Sequence, residues 1–272
     1  MQTQKKAKTK NQTVKLPRDT FSRELARRIA MFESFEVSMT SKTCNISNDQ
    51  KKYFFADDGF SVRVFPLFKK LVQEIKDSGI TAPKTEPANV GYFRFNEYIP
   101  DHLPIAYGYD INSAYLSALY NVGYIGEETK NIINEMPKKD RLAVIGMLAT
   151  SKTFYQYEKG EIVESWIVED TEMRNVFFHI SSIVGICLND MFEREAALFF
   201  WVDGIICSKP AKTDIFSKHG FEFKEEKITD FKTKHLHGGK VLRITYKKDE
   251  NGKVFEISKN IFLKKFKNPF KT

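Results

Sequence analysis

Two carboxylates in unlike settings are the residues of this chain best placed to do chemistry. Asp110 closes a short apolar run, residues 107–111, which breaks at Asp110 and Asn112 into a helix start and so puts the carboxylate at a strand end. Asp203 lies in Val202-Asp203-Gly204, between the bulky run Ala197–Trp201 and the run Ile205, Ile206 and Cys207, which is the bend of a hairpin. If those strands are neighbours in one antiparallel sheet, the two carboxylates meet. Magnesium takes hard oxygen ligands and keeps most of its waters, so one or two carboxylates plus substrate phosphates complete its shell. Two such ions about 4 Å apart lower the pKa of an attacking hydroxyl and stabilise a leaving pyrophosphate. An Asp-Gly pair taken alone is an ordinary turn.

The segments around these residues resemble, in order and context, the family B DNA polymerases, and most closely the small protein-primed enzymes of phages and plasmids. Tyr109-Asp110-Ile111-Asn112-Ser113-Ala114-Tyr115 resembles motif A, D-x-N-S-L-Y-P: Asp110, Asn112, Ser113 and Tyr115 match, and Leu116 replaces the proline. Upstream, Gly91-Tyr92-Phe93 and Asn96 resemble the glycine-aromatic hairpin that precedes motif A, and Gly123-Tyr124-Ile125-Gly126-Glu127 follows at the family's distance. Phe199-Phe200-Trp201-Val202-Asp203-Gly204-Ile205 resembles motif C, Y-x-D-T-D-S, with Asp203 as the second aspartate and Trp201 in place of the first. Of motif B only a basic residue, Arg141, is kept. Phe231, Lys232, Thr233 and Lys234, then Lys240, Arg243, Thr245 and Tyr246, resemble the K-x-Y primer grip. There Tyr246 fits the tyrosine, and Ile244 stands where the lysine belongs. The resemblance spans residues 90 to 260.

That resemblance implies template-directed DNA synthesis with two Mg2+ or Mn2+ ions held by Asp110, Asp203 and the backbone carbonyl of Ile111. It places Ser113 and Tyr115 at the incoming nucleotide, with Tyr115 under the sugar. Lys130, Lys138 and Arg141 supply positive charge for the triphosphate, Arg141 as a bidentate fork. Lys232, Lys234, Lys240, Arg243 and Tyr246 are expected on DNA. The implied partners are a DNA primer-template, deoxynucleoside triphosphates and a processivity or priming protein; the implied source is a virus or mobile element, acting in the host cytoplasm. The alternative is a polymerase-derived binding or assembly protein that lost catalysis along with the first motif C aspartate.

Composition agrees with a polyanionic partner. The 43 lysines and arginines exceed the 35 acidic residues, for a formal charge of +8. Several of the 24 phenylalanines and 11 tyrosines stand beside lysines, as in Phe262, Lys264, Lys265, Phe266 and Lys267, an interleaving that suits bases on a charged groove. Three cysteines without paired spacing argue against a disulfide framework or a zinc site. His235 and His237, two apart, lack a third ligand with suitable spacing. A polar, lysine-rich N-terminus and the lack of a run near ~18 apolar residues predict a soluble, intracellular chain without a membrane partner.

The elements that must position the carboxylates follow from periodicity and punctuation. The fold class expected is α+β: a polymerase palm with an antiparallel sheet packed on helices, short helical fingers and a minimal thumb. Residues 1–18 read as a disordered basic arm, and 19–89 as a helical region with helices near residues 19–32 and 64–77. Residues 90–120 and 149–230 are assigned to the palm and 121–148 to reduced fingers, split by Pro137. Residues 231–272 form a grip-like hairpin and a basic tail. Residues 172–195 are the best long helix, and no proofreading exonuclease is expected ahead of residue 90.

Overall fold

A computed structural model describes residues 13–17, 35–39, 43–48, 52–56, 64–84, 93–96, 98–237, 241–250 and 253–262. The expected helix near residues 19–32, most of the basic arm, Gly91, Tyr92, Gly238, Gly239, Lys240 and the basic tail beyond Phe262 lie outside the described residues. The chain is α+β, with six helices and two sheets among those residues. It divides into two compact units, Met1–Leu67 with Lys138–Arg174, and Phe68–Pro137 with Asn175–Thr272.

The first unit is built on a six-stranded sheet. Its strands are β1 (Thr13–Pro17), β2 (Phe35–Met39), β3 (Thr43–Ser47), β4 (Lys52–Ala56), β7 (Ser151–Glu158) and β8 (Glu161–Glu169), in the order β1-β4-β3-β2-β7-β8. All pairs are antiparallel except β1 with β4. Phe35, Val37, Cys44, Ile46 and Tyr157 form its core. The β7–β8 hairpin turns through Lys159 and Gly160, both with positive φ, the pattern whose twist matches the flanking strands. This sheet corrects three expectations. Residues 13–17 of the arm are a strand, residues 35–39, 43–47 and 52–56 of the helical region are strands, and residues 151–169 belong to this sheet and not to the one that carries Asp110. Five-residue strands such as Phe-Glu-Val-Ser-Met carry too few alternations to announce themselves.

The second unit holds the two carboxylates. Its sheet is antiparallel throughout, in the order β13 (Lys253–Phe262), β12 (Val241–Glu250), β11 (Phe223–Leu236), β6 (His102–Ile111), β10 (Gly204–Cys207), β9 (Ala197–Trp201) and β5 (Phe93–Phe95). The expected hairpin at 197–207 is present, and the expected grip strands 231–246 extend the same sheet. On one face Phe200 meets Phe192 of α5 (Thr171–Arg194), and Tyr109 meets Phe216 of α6 (Asp214–Lys218). On the other, Ala106, Phe199, Phe231, Leu242, Ile244 and Tyr246 form an apolar cluster. Phe199 and Phe231 stack with ring centroids 6.3 Å apart although two strands lie between theirs. Three strand spacings would put them about 14 Å apart in a flat sheet, so this sheet curls.

The helices keep the predicted limits closely. α1 is Val64–Asp77, α2 Ala114–Val122, α3 Glu127–Asn134 and α4 Lys138–Gly146, with Pro137 between the last two. The unit boundary falls at Pro137, so the two halves of the expected fingers belong to different units. Glu74 of α1 accepts a hydrogen bond from the Gly126 amide at 2.6 Å, which caps α3, and Lys70 pairs with Glu128 at 2.8 Å. α5 is long and apolar enough to cross a membrane by length and composition, yet half of its apolar window is buried inside the protein. Val176, Ile180, Val184, Cys187, Leu188 and Met191 are all buried. Cys44, Cys187 and Cys207 are free and buried, and burial pushes each thiol up to about 12.

Candidate active site

Asp110 occupies the second-last position of β6 and is exposed; Asp203 lies in the β9–β10 turn and is half-buried. Strand pairing brings them together. Gly204 lies opposite Asp110, and the Ile111 amide donates to the Asp203 carbonyl at 2.9 Å. Tyr109, one residue back, points to the other face. There its buried hydroxyl donates to Glu225 at 3.3 Å and accepts from the Ala211 amide at 2.9 Å, which anchors the strand beneath the carboxylate. Burial raises the Tyr109 pKa, so the phenol keeps its proton as donor.

Cross-strand partners share a face, so one row crosses the sheet: Lys224, Asp110, Gly204 and Trp201. Gly204 is the open place in this row. A Cβ built there would sit 3.1 Å from the Asp110 Oδ1 and 3.4 Å from the Tyr109 carbonyl. The glycine thus clears a cradle beside the carboxylate that any side chain would crowd. Trp201, expected from the resemblance to replace an aspartate, is partly buried against the apolar cluster. That position therefore contributes packing and not an oxygen ligand.

Two backbone outliers bracket the pair. Val202 has φ of 58° and Ser113 has φ of 47°, both in the left-handed region that favours glycine. For a β-branched residue such a conformation costs on the order of 1–3 kcal/mol and persists only where its surroundings impose it. Ser113 precedes α2, donates from Oγ to Asn134 Oδ1 at 3.1 Å, and leaves the first-turn amides of α2 facing away from the helix body. Tyr115 lies one residue into α2, half-buried, with its ring stacked on Phe177 of α5 at 5.8 Å.

The remaining predicted residues lie on other elements. Lys130 of α3 rests its ammonium over the Tyr120 ring at 4.2 Å. Lys138, exposed, and Arg141, half-buried, lie on α4 in the first unit, whereas Asp110 and Asp203 belong to the second. On β11 and β12, Lys232, Lys234 and Arg243 are exposed, with Lys234 opposite Arg243, which donates to Asn260 at 3.0 Å. Tyr246 is only 8% exposed and belongs to the apolar cluster with Ile244. The expectation that its ring faces DNA is corrected, because Leu242, Ile244 and Tyr246 alternate onto the inner face.

The register also exposes residues that the sequence reading missed. Lys224 stands directly opposite Asp110, and Glu226, two residues on, accepts from Lys248 at 2.6 Å and lies 3.3 Å from the Lys224 ammonium. Only the pairing of β11 with β6 reveals this charged ladder; nothing local in Lys224-Glu225-Glu226 marks it. Among the described residues no group of three or more His, Cys, Asp or Glu gathers as a metal site. A carboxylate pair completed by phosphates and waters is a different kind of site.

Comparison with protein-family models, with curated proteins and with solved structures finds no match to this chain.

Proposed function

We propose that the chain performs template-directed nucleotidyl transfer on DNA, with Asp110 and Asp203 as the carboxylates that hold two magnesium or manganese ions. The observation that carries this reading is the pairing of a strand-end aspartate with a hairpin-turn aspartate across a glycine that keeps the space beside Asp110 clear. Such a cradle fits hard divalent cations, with the Ile111 carbonyl as a further oxygen ligand. When bound, those ions supply charge neutralisation at the phosphates and a lowered pKa for the primer hydroxyl.

The chain's own residues do the positioning. The first amides of α2 present a partial positive charge suited to a phosphate, and Ser113, held in the left-handed region, opens that end. Tyr115, braced on Phe177, stands one residue further along as a wall for the sugar. Lys224, opposite Asp110 in the strand register and 3.3 Å from Glu226, adds positive charge to the same face of the sheet. Lys232, Lys234 and Arg243, exposed on β11 and β12, suit the DNA backbone. A basic net charge of +8 suits the same partner.

The test is incorporation of a labelled deoxynucleotide on a primed template with magnesium or manganese. Asp110→Asn and Asp203→Asn are each expected to lower it by more than roughly a hundredfold, since even outer-shell changes at metal sites cost 10–100-fold. DNA affinity and fold should persist, and without metal the melting temperature should not fall, because removing one of two crowded carboxylates relieves repulsion. Full incorporation by both variants would remove the assignment. The packing of Trp201 where the family carries an aspartate favours one second reading, a DNA-binding protein that no longer polymerises. Firm DNA binding without incorporation by the unaltered chain would select it.

A further inference from the structure

We infer that β8, the edge strand of the first unit, docks an extended basic segment of a protein partner, which adds to the sheet as a further strand. Among the described residues β8 pairs with β7 alone and ends the sheet. Every residue of it except Trp166 is exposed. Among them Ile162, Val163, Ile167 and Val168 are 44, 54, 67 and 46% exposed. These apolar residues serve both faces. Ile162 and Ile167 lie opposite Tyr157 and Thr153, on the side of the core cluster, while Val168 follows Trp166, whose ring stacks on Phe154 at 5.4 Å on the other side. An added strand would complete both surfaces and satisfy the outward main-chain groups.

Proteins ordinarily guard such an edge with lysine, proline, a bulge or short length. β8 has no lysine and no proline and runs for nine residues. Its one irregularity falls next to the hairpin turn, where Gln156 pairs with Glu164 and Tyr157 with Ile162, so Glu164–Glu169 stays in regular register. The charge of the strand names the occupant. Its ionisable residues are Glu161, Glu164 and Glu169, the last paired with Arg174, in a chain of net charge +8. Three glutamates repel a phosphate backbone, and a second copy of β8 would set three glutamates against three. An extended peptide that alternates apolar residues with lysine or arginine meets both the charge and the apolar stripe.

The test uses the full chain and a capped, fluorescein-labelled nonapeptide of alternating valine and lysine, titrated by fluorescence anisotropy at physiological ionic strength. Saturable binding is expected, weakened at least tenfold by Ile167→Lys, by backbone N-methylation of alternate peptide residues, and by exchanging the peptide's lysines for glutamates. Ile167 is solvent-exposed, so this variant keeps its fold, and the two peptide changes need no variant at all. Undiminished binding of the N-methylated peptide would show that no strand is added and would overturn the inference. So would undiminished binding to Ile167→Lys, or equal binding of the acidic peptide. Sedimentation of the unliganded chain should give a monomer; a dimer abolished by Ile167→Lys would make a second copy the occupant and overturn the inference equally.

Discussion

Tyr115 shows what one side chain is expected to contribute. Its ring stacks on Phe177 and is half-buried, so it is held rigidly without being consumed by the core. On the proposed function, a fixed ring under the incoming sugar would leave no space for a 2′-hydroxyl and would discriminate by collision. We expect Tyr115→Ala to admit ribonucleotides about tenfold more readily relative to deoxynucleotides, on the order of 1.4 kcal/mol of lost discrimination. Tyr115→Phe should retain the selectivity, and matched steady-state kcat/KM values for both sugars decide it. An unchanged ratio in a folded Tyr115→Ala protein would show that the ring only packs. The placement of Asp110 and Asp203 is legible in the sequence, where local chemistry marks it. A strand-end aspartate before Asn112 and an Asp-Gly between two bulky runs both announce their geometry. Lys224 and Gly204 were not legible as partners of Asp110, because cross-strand register is a property of the pair of strands. Tyr246 was read by motif position, although the alternation Leu242, Ile244, Tyr246 already pointed to an inner face.

At the scale of the element, β11 depends on one irregular residue. The register of β11 with β12 slips between Thr229 and Lys232, and Asp230 sits there with φ of 52°, a left-handed conformation that aspartate tolerates better than most. Its carboxylate accepts from Lys232 at 2.7 Å and Lys247 at 3.0 Å and lies 3.2 Å from the His102 Nε2. The lysines, Lys232 first, hold its pKa well below the usual carboxylate range. A depressed folded-state pKa gives stability that is present above the unfolded value of about 3.9 and lost as pH falls through the folded one. Asp230→Asn should therefore lower the melting temperature at pH 7, with a difference that shrinks as pH drops below about 4. A difference that stays constant down to pH 3 would mean that the bulge, and not the charge, carries the effect. Elements with long periodic patterns were legible from the sequence, as α1 and α5 are. The strands β2, β3 and β4 were not, since five residues with two to four apolar positions fit several structures equally well.

At the scale of the whole molecule, residues 149–230 are expected from the sequence to form one palm segment. The chain instead leaves the second unit at Pro137, contributes α4, β7 and β8 to the first, and returns along α5. Neighbouring residues in sequence share a sheet often enough that this excursion left no local trace. The division gives the cysteines an unplanned use. Cys44 belongs to the core of the first unit, and Cys187 and Cys207 are buried in the second. With each thiol pushed up to about 12, thiolate is scarce at neutral pH, and a disulfide reagent must wait for the surrounding structure to open. The three sulfurs are thus native clocks, one for the first unit and two for the second, with no engineered label required. Under native conditions we expect slow modification in two kinetic classes, with Cys44 in one and the other pair together, as resolved by peptide mass spectrometry. Rapid modification of all three would mean that these cores admit reagent without opening, and a single slow class would mean that the whole chain opens as one.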